Sequence, residues 1–400
     1  MSAERAGAVR VARRLREAGY EAWFAGGCVR DHLLGRPPKD WDIATDARPD
    51  EVQSIFRRTV AVGAAFGVVQ VLDGDESYEV ATFRADGDYV DGRRPSEVHY
   101  SPSRIEDVRR RDFTINALLM DPETGAIEDH VEGRADLEAR LIRAVGVPQE
   151  RFREDRLRML RAVRFSARLG FEIEEATWSA LVQEAPHLSV VSPERITQEL
   201  EGILASPRPG DGIRLVESTA LAKACLPARR GEALAAWLDR LPSASAAEGL
   251  SAEARLRVGW ALVHAELDRK AAEGALRARR LSRATTRGVI ALTEARRTVT
   301  QEAGGPVFAV ARSPDASAVA ALLRCDDPPA AQVFEAARAR VRAHPPPAEA
   351  LLDGADLRGL GLPPGPAFKR ILTAVEHAAL EGRIQTREEA LALARGLADQ

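Results

Sequence analysis

The stretch Phe24-Ala-Gly-Gly-Cys-Val-Arg-Asp31, followed by Lys39-Asp-Trp-Asp-Ile-Ala-Thr45, constrains this chain more than any other. It reads as a strand, a double-glycine turn, a short helix, and a second strand carrying two carboxylates one residue apart. Side chains alternate along a strand, so Asp40 and Asp42 share one face while Trp41 and Ile43 take the other. Carboxylates so placed suit a pair of divalent metal ions. Gly26 and Gly27 let the backbone approach a ligand closely, and the helix that follows turns N–H groups toward an anion. The pattern predicts a nucleoside triphosphate held over two Mg²⁺ ions.

The surrounding sequence alternates strand and helix. Residues 3–18 have apolar positions at helical spacing, and Asp46-Ala-Arg-Pro-Asp-Glu-Val52 has the proline and early acids of a helix start. Phe66–Leu72 and Tyr78–Phe83 predict a hairpin joined through Asp73–Ser77 by a turn of about five residues. Leu118–Asp121 and Ile127–Asp129 predict another. These elements imply a head with a mixed sheet. Between them, Asp86–Pro95 is rich in glycine and charge, which predicts a mobile loop beside the site or, about as commonly, an inert surface loop. After about Ala135 the strands fade, and proline- and glycine-rich breaks such as Ser206–Gly212, Pro242–Ser245 and Pro345–Pro347 divide a helical remainder.

At 400 residues the chain exceeds one simple core. No apolar run approaches the roughly 20 residues of a membrane span and no signal-peptide core opens the sequence, so the expectation is a cytoplasmic protein with no membrane association. Cys28, Cys225 and Cys325 lie far apart with no CxxC spacing, which argues against a disulfide framework or a zinc site. A net charge of −3 speaks against a protein that coats nucleic acid. Arginine is nevertheless concentrated at Arg109–Arg111, Arg151–Arg164 and Arg277–Arg287, and a near-neutral protein can carry such local basic tracks.

Two constellations carry chemistry. A two-metal site needs bridging acids, and Mg²⁺ borrows substrate phosphates and water, so two or three protein carboxylates suffice. Asp40 and Asp42 fill that role, with Glu79 on the second hairpin strand or Asp112 as the third. The other is Glu154-Asp155-Arg-Leu-Arg158-Met-Leu-Arg161-Ala-Val-Arg164. On a helix, Asp155 and Arg158 are i,i+3 neighbours and place an acceptor beside a donor fork, which matches the edge of cytosine or adenine but not of uracil or guanine. The competing reading is a helix salt bridge worth a few tenths of a kcal/mol. Arg161 and Arg164 continue at spacing three, drift around the helix, and are expected to meet phosphates or the base stack.

Eight blocks, Gly26-Gly-Cys-Val-Arg-Asp31, Asp40-Trp-Asp42, Glu79–Arg84, Asp91–Pro95, Arg110–Ala117, Gly133–Leu137, Glu154-Asp-x-x-Arg158 and Pro193-Glu-Arg-Ile196, occur in the order seen in class II tRNA nucleotidyltransferases. The chain therefore resembles the CCA-adding enzymes, and with them the bacterial poly(A) polymerases, of the polymerase-beta-like superfamily. The resemblance covers about residues 20–205. It implies an α+β fold: an N-terminal mixed-sheet nucleotidyltransferase head (1–145), then an all-α neck for nucleotide selection (146–205), body (206–300) and tRNA-binding tail (301–400). It implies Asp40 and Asp42 as metal ligands for Mg²⁺, Gly27, Arg30 and Arg111 as triphosphate contacts, and Asp155, Arg158, Arg161 and Arg164 as nucleotide-binding residues. The partners implied are the 3′ acceptor end of tRNA with CTP and ATP; no stable protein partner is expected. Gly63-Ala-Ala-Phe-Gly-Val68 departs from the commoner Gly-x-x-His-Gly-Thr, and no His-Asp phosphohydrolase pair follows in the C-terminal half. Addition of A alone, poly(A) tailing, and a non-catalytic RNA-binding role are the ranked alternatives.

Overall fold

The computed structural model describes residues 2–60, 67–85, 100–227, 233–343, 350–363 and 365–398. The Gly63–Phe66 segment and the Asp86–Pro95 loop lie outside the described residues. The chain divides into two compact units, one of Met1–Leu200 with Leu215–Cys225 and the other of Glu201–Arg214 with Leu226–Gln400. Among the described residues no helix is long and apolar enough to cross a membrane.

The first unit opens on α1 (Ala3–Glu17), whose first turn is capped by Ser2 accepting from the Arg5 N–H at 3.3 Å. Then come β1 (Ala22–Ala25), α2 (Gly27–Leu33), β2 (Ile43–Thr45), α3 (Pro49–Ile55), β3 (Thr59–Val60), β4 (Val68–Asp73), β5 (Glu76–Thr82), α4 (Arg104–Arg109), β6 (Leu119–Met120) and β7 (Ile127–Glu128). The strands form one mixed sheet in the order β3-β4-β5-β2-β1-β6-β7, with β2 and β5 parallel. Register separates its faces. Phe24, Ile43 and Val80 lie in one row and pack with Ala8, Val11 and Leu15 of α1. Ala25 and Ala44 belong to a second cluster, with Phe83, Val108 and Leu119. Large apolar side chains fill the α1 side, each worth roughly 1.5–3 kcal/mol when fully buried. Small alanines line the opposite face and leave room above it.

Two expectations about the sheet need correction. β2 begins at Ile43, so Asp40 and Asp42 sit in the extended run just before the strand rather than on it. The cause is β1, which ends at Ala25 where the chain turns at Gly26; the last ladder bond in this corner is Ala25 N–H to the Asp42 carbonyl at 3.2 Å. Alternation survives, since Trp41 and Ile43 are buried in the core while Asp40 is exposed and Asp42 half-buried. The hairpin turn is shorter than five residues. Its ladder runs on to Asp73 opposite Glu76, and Gly74, at φ +67°, forms a two-residue turn with Asp75.

The unit continues through α5 (Gly133–Ala139), β8 (Leu141–Ile142), α6 (Pro148–Glu154), α7 (Leu157–Leu169), β9 (Glu172–Ile173), α8 (Glu175–Glu184) and the part of α9 (Pro193–Leu204) up to Leu200. β8 and β9 pair in parallel, so the stretch expected to be all-α carries one short strand. α7 buries Leu157, Leu160, Ala162, Val163 and Leu169. The second unit is helical throughout its described secondary structure and ends in a cluster around Leu357, Ile371, Val375 and Ala390. The break expected at Pro242–Ser245 lies inside the helix Leu234–Ala247, which carries Pro242 internally.

Candidate active site

Within the first unit, the alanine face of the sheet, the turn after β1 and the arginine side of α7 enclose a cavity of about 660 Å³. Gly27, Arg30, Asp42, Glu79, Arg111, Asp155, Arg158, Arg161 and Arg164 all line it, and Asp40 does not. Residues separated by more than a hundred positions are thus gathered around one space, whose walls carry more arginine than acid.

The carboxylates divide by environment. Burial, then Glu79 and Asp40, push the Asp42 carboxyl up to about 6, against a smaller opposing pull from Arg111. Glu79 stands near Asp42 because β2 and β5 run parallel with Ile43 opposite Val80, so the preceding residues of both strands point to the same face. Among the described residues Asp40, Asp42 and Glu79 have no ion-pair partner, and no group of three or more potential ligands forms a ready-made metal cage. The donors are all oxygen, and Asp42 and Glu79 face an open cavity with Asp40 outside its lining, a set that fits Mg²⁺, which keeps water and takes substrate phosphate oxygens.

Asp112 is the opposite case. Its Oδ1 accepts from the Phe113 N–H at 2.8 Å and from Asn116 Nδ2 at 3.1 Å, and its Oδ2 accepts from Arg161 Nε at 2.8 Å. Burial pushes its pKa up, but Arg161 and Asn116 overcome that and hold it at about 2. Its oxygens are committed to the protein.

The double glycine has a more local role than a bare approach to ligand. Gly26 adopts φ +78°, and a Cβ there would lie 3.0 Å from Arg111 Nη1. Arg111 donates to Asp107 Oδ2 at 2.9 Å and to the Asn116 carbonyl at 3.3 Å. Arg30 on α2 is buried, 2.7 Å from Asp31 and 2.6 Å from Asn116 Oδ1. The turn therefore seats guanidinium groups against the end of β1.

Asp155 and Arg158 do not share a helix as the spacing implied. Asp155 is extended (φ −140°) and ends α6; its Oδ1 accepts from the Leu157 N–H at 3.0 Å at the start of α7, and its Oδ2 accepts from Arg195 Nη2 at 2.7 Å. Arg158 donates to Glu154 Oε2 at 2.6 Å and to the Arg110 carbonyl at 3.1 Å. The simple i,i+3 salt bridge is absent because each partner is held by another residue. Arg161 and Arg164 both line the cavity, paired with Asp112 and Glu199, with guanidinium carbons 5.5 and 4.5 Å from the Phe165 ring centre. Arg195, Asn116, Glu199 and Phe165 were not singled out from sequence. Arg195 and Asn116 lie inside motif blocks, but their partners lie 40 and 86 residues away.

The family described as "Poly A polymerase head domain" matches residues 22–143, and that described as "Probable RNA and SrmB- binding site of polymerase A" matches 170–230. A CCA-adding enzyme of Geobacillus thermodenitrificans is 49% identical over 235 residues, a stretch spanning 58% of this chain and 57% of that relative. The crystal structure of Bacillus stearothermophilus CCA-adding enzyme in complex with CTP superposes with a TM-score of 0.81 at 33% identity, covering 100% of this chain and 98% of that one. A Thermotoga maritima CCA-adding enzyme complexed with tRNA shares the fold at a TM-score of 0.70 and 21% identity, over 97% and 94% of the two chains. With a full-length likeness at that identity and a matching head, the chain belongs to the class II tRNA nucleotidyltransferase family, the group of the CCA-adding enzymes and bacterial poly(A) polymerases.

Proposed function

We propose that this chain is a template-independent nucleotidyltransferase that adds CMP and AMP, from CTP and ATP, to the 3′ end of tRNA and releases pyrophosphate. One observation carries the reading: unpaired Asp42 and Glu79 share a cavity of about 660 Å³ with Asp155, Arg158 and an arginine-lined helix. That volume is within the usual range for small-molecule sites. The CTP bound by the 33% identical Bacillus stearothermophilus relative supports a cytidine nucleotide here.

In this proposal Asp40 and Asp42 hold Mg²⁺, and Glu79 is the third carboxylate in preference to Asp112, whose oxygens are already occupied. Bound there, Mg²⁺ would supply Lewis-acid activation of the terminal ribose hydroxyl and charge neutralisation on the pyrophosphate. Gly27 leaves space for the triphosphate, and Arg30 and Arg111 face its charge from either side of the glycine turn. Asp155 accepts from the exocyclic amino group of cytosine or adenine and Arg158 donates to the adjacent ring nitrogen. Their existing bonds leave capacity for this, since a carboxylate offers about four acceptor sites and a guanidinium five donors. Arg161 and Arg164, fixed by Asp112 and Glu199, form the wall beside the base. The head, neck, body and tail divisions at 145, 205 and 300, with tRNA bound by the tail, complete the proposal.

The test is incubation with Mg²⁺ and tRNAs ending at the discriminator base, at C and at CC, with CTP and ATP given separately and together. Growth of all three to CCA is expected. Extension of the CC-ending tRNA alone would reassign the chain to A addition, long A tails on any RNA to poly(A) polymerase, and no incorporation to a non-catalytic RNA-binding protein.

A further inference from the structure

Three successive side chains leave the α6–α7 turn in three directions. Glu154 pairs with Arg151 at 2.9 Å and Arg158 at 2.6 Å, Asp155 pairs with Arg195 at 2.7 Å, and Arg156 pairs with Glu184, the last residue of α8. Glu184 lies in none of the family blocks and does not line the cavity. It is buried, 4% exposed, although its type is nearly always at the surface. Its Oε1 accepts from Arg153 Nε at 2.8 Å, its Oε2 pairs with Arg156 and lies 3.6 Å from His187 Nδ1. The Arg153 side chain is 63% exposed and that of Arg156 only 16%, so Arg156 forms the shielded member of the group. Two of the four residues from Arg153 to Arg156 are thus tied to one buried carboxylate on another helix.

A buried ion pair is a weak source of net stability, because desolvation offsets much of the attraction, but it fixes geometry. Geometry is what base selection needs at this turn, since a displacement of about 1 Å at a reacting or reading group can cost a hundredfold. We propose that Glu184 is a positioning residue for nucleotide selection: through Arg156 and Arg153 it sets the turn that aims Asp155 and Arg158 at the base edge. The proposal rests on the base-edge reading of Asp155 and Arg158 given above.

Glu184→Gln, Arg156→Gln and the double variant are compared with wild type and Asp155→Ala for kcat/KM with CTP and with UTP, for Mg²⁺ dependence, and for Tm. Each single variant is expected to lower the CTP-to-UTP ratio about tenfold or more, with the Mg²⁺ dependence unchanged and the double no worse than either single. Arg156→Gln reads the same bond from its other end should Glu184→Gln not fold. A fall in Tm with an unchanged ratio in both single variants would overturn the positioning role and leave Glu184 as a helix tie. An unchanged ratio in Asp155→Ala would instead bring down the base-edge reading on which it stands.

Discussion

Asp42 and Asp112 border the same cavity, and their surroundings move them in opposite directions. Asp42 is pushed up to about 6 by burial and by the neighbouring Glu79 and Asp40, whereas Asp112 is held at about 2 by Arg161 and Asn116 despite its burial. The first region concentrates negative charge without an internal partner. The second, from Asp112 through Asp155 to Glu199, matches each carboxylate to an arginine. Mutually repelling carboxylates are costly unless something positive joins them, which is the condition a metal-binding site presents before its ion arrives. Carboxylates already paired serve as framework, fixing the arginines and the turn between α6 and α7.

The contrast breaks most visibly at Asp42. Asp42→Asn should fold normally yet lose nucleotide incorporation by roughly a thousandfold or more, read with labelled CTP; near-normal activity would remove the metal assignment. Asp112→Asn should do the reverse of a ligand mutation. By removing the closer of Arg161's two carboxylate partners, and leaving it Glu199 at 3.9 Å, it is expected to cost about 1–2 kcal/mol of stability by chemical denaturation. Asp155→Ala should sharpen the division by reducing discrimination against UTP and GTP roughly ten- to a hundredfold while leaving the Mg²⁺ requirement alone, measured by competing nucleotides.

The smallest expected effect separates the two carboxylates by pH. Asp42 titrates near 6 in the metal-free fold and near 3.9 in an unfolded chain, so its stabilising contribution is fully present below about pH 4 and is lost as pH rises through 6. Asp112, depressed to about 2, contributes stability above about pH 4 that is lost as pH falls toward 2. Asp42→Asn should therefore be more stable than wild type by about 1–2 kcal/mol at pH 8 without divalent metal, after allowance for partial solvent access, and equal to it at pH 4. Saturating Mg²⁺ should erase the gain. Urea titrations at both pH values decide it.

Much of this contrast was legible in the sequence, for a physical reason. Period-two alternation placed Trp41 and Ile43 on one side and the two acids on the other, and it holds even where the strand itself has not begun. That Glu79 is left unpaired beside Asp42 while Asp112 is tied up was not legible, because it depends on the parallel register of β2 with β5 and on a bond from Arg161, 49 residues away. Spacing suggested that Asp155 and Arg158 face one another on a helix, but spacing assumes the helix is continuous, and the chain is extended at Asp155. The pairing of Asp155 with Arg195 and of Arg156 with Glu184 joins separate helices, and no local pattern encodes it.

The most direct measurement is a titration of wild type, Asp42→Asn and Asp112→Asn with Mn²⁺ alone, an oxygen-seeking ion visible by electron paramagnetic resonance. Wild type and folded Asp112→Asn should bind Mn²⁺ alike, and Asp42→Asn should lose that binding. Binding retained in Asp42→Asn but lost in Asp112→Asn would contradict the account.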